Sequence, residues 1–164
     1  MRELPSFLFF VTDQHRADSL GCYGNNVLKT PNIDRIAENG VRFERAYVNN
    51  PLCIPSRATL FTGKTPRGHR VRTNGIPLAW TEETLPQMLG EMGYRTHCVG
   101  KIHLRPFGIP RGSRAQNLDP KEFPESRDIW ITDRLNRFPE PYFGLQTVDF
   151  IGGHGNYLYG DYLV

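Results

Sequence analysis

Residues 6–12, Ser-Phe-Leu-Phe-Phe-Val-Thr, form an unbroken apolar run ending in polar residues, the pattern of a buried, central parallel strand. Asp13 and Gln14 follow at its carboxyl end. Ligands bind there in open α/β sheets, although capping a loop or helix is the commoner use of an acidic residue. Residues 30–40 are punctuated as a helix: Thr30 caps it, Pro31 opens it and Gly40 stops it, with Ile33, Ile36 and Ala37 on one face. Residues 41–48 alternate apolar and charged positions and predict a strand that delivers the chain toward Cys53. Residues 67–78 carry glycine and proline at both ends and predict a loop, with His69 and Arg70 at the surface. Thr84 caps and Gly93 ends the next helix, and residues 94–100 predict a further strand. Period-two spacing puts Lys101 and His103 on one side of the chain just past it. Beyond Arg105, prolines and glycines break any long periodicity. A short helix is expected within 126–138, and Arg105, Arg111 and Arg114 read as solvated loop positions.

Composition narrows the partners more than the fold. The chain has 164 residues, 38% hydrophobic and 12% aromatic, enough for one folded domain with a core. The net charge of +3 comes from arginines scattered among carboxylates, which suits a small anionic substrate. No dense basic tract marks a nucleic-acid groove and no stretch is long enough to span a membrane, so neither partner is expected. Cys22, Cys53 and Cys98 are odd in number and far apart, which favours a reducing compartment over a disulfide framework. The short apolar run near the N-terminus does not have signal-peptide form, and a cytoplasmic location is expected.

Cys53 stands just after Pro51-Leu52 and just before the turn Pro55-Ser56-Arg57, which runs into a helix with Ala58, Leu60 and Phe61 as its first formers. The open N–H groups of a helix start favour negative charge, and Arg57 adds a fixed positive charge about one turn along. That setting suits a low-pKa nucleophile. It equally suits a small buried residue at a strand–helix corner, the commoner fate of a cysteine.

The run Cys53-Ile54-Pro55-Ser56-Arg57, continued by Thr59-Leu60-Phe61-Thr62-Gly63-Lys64, resembles the signature of the type I sulfatases of the alkaline-phosphatase-like superfamily. The resemblance implies an α/β fold, a mostly parallel sheet flanked by helices, incomplete on the C-terminal side. On this reading residues 1–164 are the N-terminal portion of a sulfatase catalytic domain, with a core α/β part over 1–104 and a loop-rich segment over 105–164. The resemblance further implies that Cys53 is converted to formylglycine by a formylglycine-generating enzyme. It implies a divalent metal, calcium first with magnesium or manganese as alternatives, held by Asp13 and Gln14 together with the residue at position 53. The segment containing Asp13-Gln14-His15-Arg16-Ala17-Asp18 is similar to the branch with phosphonate monoester hydrolases and some choline- or arylsulfatases.

Gly100-Lys101-Ile102-His103-Leu104 matches a second family motif, so Lys101 and His103 join Cys53 and Arg57 as the implied catalytic set. Asn74 and His154 are implied substrate contacts, against a turn role for Asn74 of roughly equal weight. The expected function is hydrolysis of a small-molecule sulfate ester, weak or absent for these residues alone because two metal ligands fall short of a hard cation's shell. The alternatives are a phosphonate or phosphate ester hydrolase of the same superfamily and a non-catalytic remnant. A thiol hydrolase using unconverted Cys53 ranks last, because no histidine pairs with it in sequence.

Overall fold

The computed structural model describes residues 4–131 and 138–152. They fall into two compact units, Met1–Ala46 and Tyr47–Val164.

In the first unit helix α1 spans Pro31–Asn39, with proline in its first turn and Gly40 beyond its end. Thr30 occupies the cap position, but its side chain accepts no backbone N–H of the helix. Its hydroxyl instead accepts from the Gly21 N–H at 2.8 Å and donates to Asp34 Oδ1 at 3.0 Å. Asp34 also accepts from the Cys22 N–H at 2.7 Å, so the helix start anchors the short 3-10 turn Gly21–Tyr23. No described residue of this unit is buried.

Two expectations fail here. Residues 6–12 are not a buried strand: Phe7, Leu8, Phe9, Phe10 and Val11 are 50–82% exposed and the segment pairs with no strand among the described residues. Residues 41–48 are likewise turn and coil. Apolar periodicity supplies the side chains of a strand, but a strand exists only where a neighbour takes its backbone groups.

In the second unit helix α2 spans Cys53–Thr62, α3 Leu85–Glu91 and α4 Arg127–Trp130. Strand β1, His97–Gly100, pairs in parallel with β2, Thr147–Phe150, in the register His97–Thr147 through Gly100–Phe150. Such a pairing of strands far apart in sequence needs a long crossover, which residues 101–146 supply. Val148 and Phe150 point inward from β2 and join Ile54, Ala58, Val71, Leu78, Ile102, Leu104, Tyr142 and Leu145 in one core. Trp80 stacks on Phe143 at 4.7 Å, and Phe138 meets Phe150 at 4.5 Å.

One junction locks this unit. Thr84 caps α3 by accepting from the Gln87 N–H, and its hydroxyl donates to the Phe143 carbonyl at 2.6 Å. Thr96 donates to the Gly144 carbonyl at 2.7 Å and accepts from the Gln146 N–H at 3.0 Å. Gly144 itself has φ 82°, and a Cβ there would lie 2.2 Å from the Gln87 nitrogen. Only glycine lets the strand lead-in pass this close to α3. No helix among the described residues is long and apolar enough to cross a membrane.

Candidate functional site

Helix α2 begins at Cys53, five residues before the Ala58 start expected from its formers. Pro55 does not delay it, because a proline in the first turn gives up only an N–H that no carbonyl would have met. Ile54, Pro55 and Ala58 are buried and fix the rotation of the helix, while Cys53 is half-buried at its open end. Two asparagines complete that end. Asn50 Oδ1 accepts from the Leu52 N–H at 2.9 Å, and Asn74 Oδ1 accepts from the Ile54 N–H at 3.0 Å. Asn74 thus satisfies one of the free N–H groups beside the cysteine, the task of a cap performed from a distant loop.

Tertiary packing brings one cation, Lys101, to this helix start, and Arg57 of α2 itself bonds that residue's backbone. Lys101 Nζ stands 3.9 Å from the Cys53 sulfur, and Arg57 Nη1 donates to the Lys101 carbonyl at 2.8 Å. The Lys101 ammonium also lies 5.6 Å above the Phe107 ring, and the His103 ring stacks on the same phenylalanine with centroids 3.6 Å apart. Period-two spacing does not produce this arrangement. Gly100 at φ 99° ends β1, and His103 at φ 56° is in the left-handed region, so the backbone turns between the two residues. Gln14, at φ 50°, is another non-glycine residue in that region. Strain of this kind concentrates at functional sites.

Cys53, Arg57, Lys101, His103 and Asn74 therefore all lie in the second unit, linked through α2 and the 101–107 segment. Asp13 and Gln14 lie in the first unit and are exposed. His154 lies outside the described residues. The carboxylate and amide oxygens of Asp13 and Gln14 fit a hard cation in kind but supply only two donors. Among the described residues no group of three His, Cys, Asp or Glu side chains could hold a metal ion. Of the other two cysteines, burial pushes the Cys98 thiol up, and desolvation with Asp34 beside it raises Cys22.

Three residues depart from their sequence assignment or escaped it. His69 is not a surface residue; it is 2% exposed, accepts from the Val71 N–H at Nδ1 and bonds Thr59 of α2 through Nε2 at 3.0 Å. Burial lowers its pKa, consistent with a neutral ring. Arg105 is no solvated loop residue either. Its guanidinium, 5% exposed, donates to the Leu78 and Glu122 carbonyls, pairs with the Glu122 carboxylate and covers Trp80. Glu125 was not singled out at all, since a carboxylate between proline and serine in a loop-rich stretch carries no pattern. It is fully buried, accepting from the N–H groups of His103, Leu104 and Arg105 and from the Tyr142 hydroxyl.

Comparison with known proteins bears on the family and the fold. The chain is 40% identical over 100 residues to N-acetylglucosamine-6-O-sulfatase of Bacteroides thetaiotaomicron, covering 61% of this chain and 18% of that protein. It is 38% identical over 103 residues to an arylsulfatase of Clostridium perfringens, covering 62% of this chain and 21% of the relative. It thus spans about a fifth of the length of these curated relatives. Among solved structures, the phosphonate monoester hydrolase of Agrobacterium radiobacter superposes with a TM-score of 0.64 at 29% identity, covering 92% of this chain and 26% of that one. The parallel pair and its helices are therefore part of the sulfatase-like, alkaline-phosphatase-type α/β fold. With the sulfatase family model matching residues 5–141, this chain belongs to the sulfatase family.

Proposed function

We propose that the protein is a sulfatase that hydrolyses small-molecule sulfate esters, with the residue at position 53 as its nucleophile. The observation that carries this reading is the meeting of Cys53 at the start of α2 with the Lys101 ammonium, itself tied through its carbonyl to Arg57. A dianionic or monoanionic ester oxygen array placed against Cys53 would face both cations, which neutralise charge as the bond to the alcohol breaks. His103, stacked on Phe107, is the base that takes up a proton when sulfate is released. Formylglycine, made from Cys53 by a formylglycine-generating enzyme, supplies a hydrated aldehyde as the oxygen nucleophile. Asp13 and Gln14 carry oxygens of the kind that would hold part of the shell of a divalent cation, calcium first and magnesium or manganese as alternatives, and such an ion would supply the acidification of a hydroxyl. Asn74, whose amide oxygen is occupied by Ile54, keeps its NH₂ side for a substrate oxygen. A reducing, cytoplasmic setting is part of this proposal, on the odd number and wide spacing of Cys22, Cys53 and Cys98 in the sequence.

A second reading, hydrolysis of phosphonate or phosphate esters by the same residues, is favoured by Gln14 and by the similarity to a phosphonate monoester hydrolase over 92% of the chain. Mass spectrometry of the Cys53 peptide and initial rates on matched aryl sulfate and aryl phosphonate esters test both. The sulfatase reading expects an aldehyde in place of the thiol and the larger kcat/KM on the sulfate. An unmodified thiol in protein coexpressed with the converting enzyme, or a larger kcat/KM on the phosphonate, would sink it.

A further inference from the structure

Glu125 is the most heavily bonded side chain near the site that the reaction itself does not use. One carboxylate oxygen accepts from the His103 N–H; the other accepts from Leu104 N at 2.8 Å, Arg105 N at 2.9 Å and the Tyr142 hydroxyl at 2.7 Å. All four donors are neutral, and a buried charge held by neutral donors alone is expensive to keep ionised. Burial accordingly pushes the Glu125 carboxyl up to about 6. The groups around it are the Tyr142 phenol, the Arg105 guanidinium turned toward Leu78 and Glu122, the Cys98 thiol and the His103 backbone.

Three consecutive N–H groups can converge on one acceptor only if the chain curls around it, and this is the stretch where His103 takes φ 56°. The same stretch carries Lys101 to the Cys53 sulfur and the His103 ring to Phe107. We propose that Glu125, braced by Tyr142, is a positioning residue that holds the 101–105 backbone in the curled form that presents Lys101 and His103 to position 53. The catalytic consequence rests on the sulfatase-type reading above, whereas the hold on the backbone does not.

Glu125→Gln is the informative variant. It keeps the shape and one accepting oxygen but turns an NH₂ toward either the His103 N–H or the other three donors, so at least one contact becomes donor against donor. Removing the buried charge also spares the fold, so the variant is expected to stay folded. Tyr142→Phe removes the hydroxyl that helps hold the Glu125 carboxyl down. The test is hydrogen exchange of the peptide covering 101–105, together with kcat and KM on aryl sulfate and aryl phosphonate esters over acid to neutral pH. Glu125→Gln is expected to speed exchange at 101–105 about tenfold relative to the α2 peptide and to lower kcat roughly 10- to 100-fold with little change in KM. The acid limb of the parent, set by Glu125, is expected to vanish in Glu125→Gln and to move to higher pH in Tyr142→Phe, while Glu125→Asp recovers part of kcat. Exchange unchanged in both variants, kcat within about twofold of the parent, or one acid limb common to all three proteins overturns the proposal. If the parent turns over neither ester, the exchange result alone decides the positioning role.

Discussion

Lys101 carries its ammonium to 3.9 Å from the Cys53 sulfur while its carbonyl accepts from Arg57, so one residue ties both cations to the start of α2. Lys101→Ala is expected to reduce kcat/KM on an aryl ester by about 10²- to 10³-fold with little loss of stability, as steady-state rates and a urea titration would record. Lys101→Arg should recover little, because a planar fork does not replace a compact point charge. Asn74 sets a different expectation. Its amide oxygen meets an N–H at the half-buried helix start, so Asn74→Ala should lower unfolding free energy by about 1 kcal/mol in denaturant titration. The sequence made Cys53, Arg57, Lys101 and His103 visible through motif and residue type. Glu125 and Phe107 were invisible: the donors to the buried carboxylate lie 17 to 22 residues away along the chain, and a lone aromatic in a loop-rich stretch carries no periodic pattern.

Helices were legible wherever punctuation is local. Thr84 caps α3, and Pro31 opens α1 as expected. The start of α2 was misplaced because Pro55-Ser56-Arg57 reads as a turn until the proline is recognised as a first-turn residue. Strands fared worse: residues 6–12 and 41–48 have strand patterning without a partner among the described residues, whereas β2, where no strand was expected, has one. The junction of α3 with the lead-in to β2 is the element most sensitive to a single atom. Gly144→Ala would place a methyl 2.2 Å from backbone that cannot yield, at a φ that L residues resist. A loss of about 3 kcal/mol, seen as a lowered urea midpoint, is expected; an unchanged midpoint would contradict the packing described.

At the scale of the whole molecule, two buried groups oppose each other in acid. Glu125 has its carboxyl raised from 4.5 to about 6, so the folded state binds the extra proton in that window and stability falls as pH rises through it, by about 2 kcal/mol. His69 has its pKa lowered by burial, so the unfolded state binds the extra proton and stability falls as pH drops below about 6.5. The Glu125→Gln variant should therefore lose the decline between pH 4.5 and 6 while keeping the His69 decline in acid, measured as unfolding free energy against pH.

The amino-acid sequence by itself determined the chemistry available: a cysteine before a first-turn proline, a motif that marks the family, cations at element ends and helices bounded by their own caps. These depend on neighbours within a turn or two, which the chain cannot rearrange. Only the tertiary structure decided which strands find partners, which arginine and histidine are buried, and how Lys101 approaches position 53 while His103 stacks on Phe107. Those outcomes rest on pairing and desolvation between segments remote in sequence, where pattern specifies what a residue can do and packing specifies what it meets.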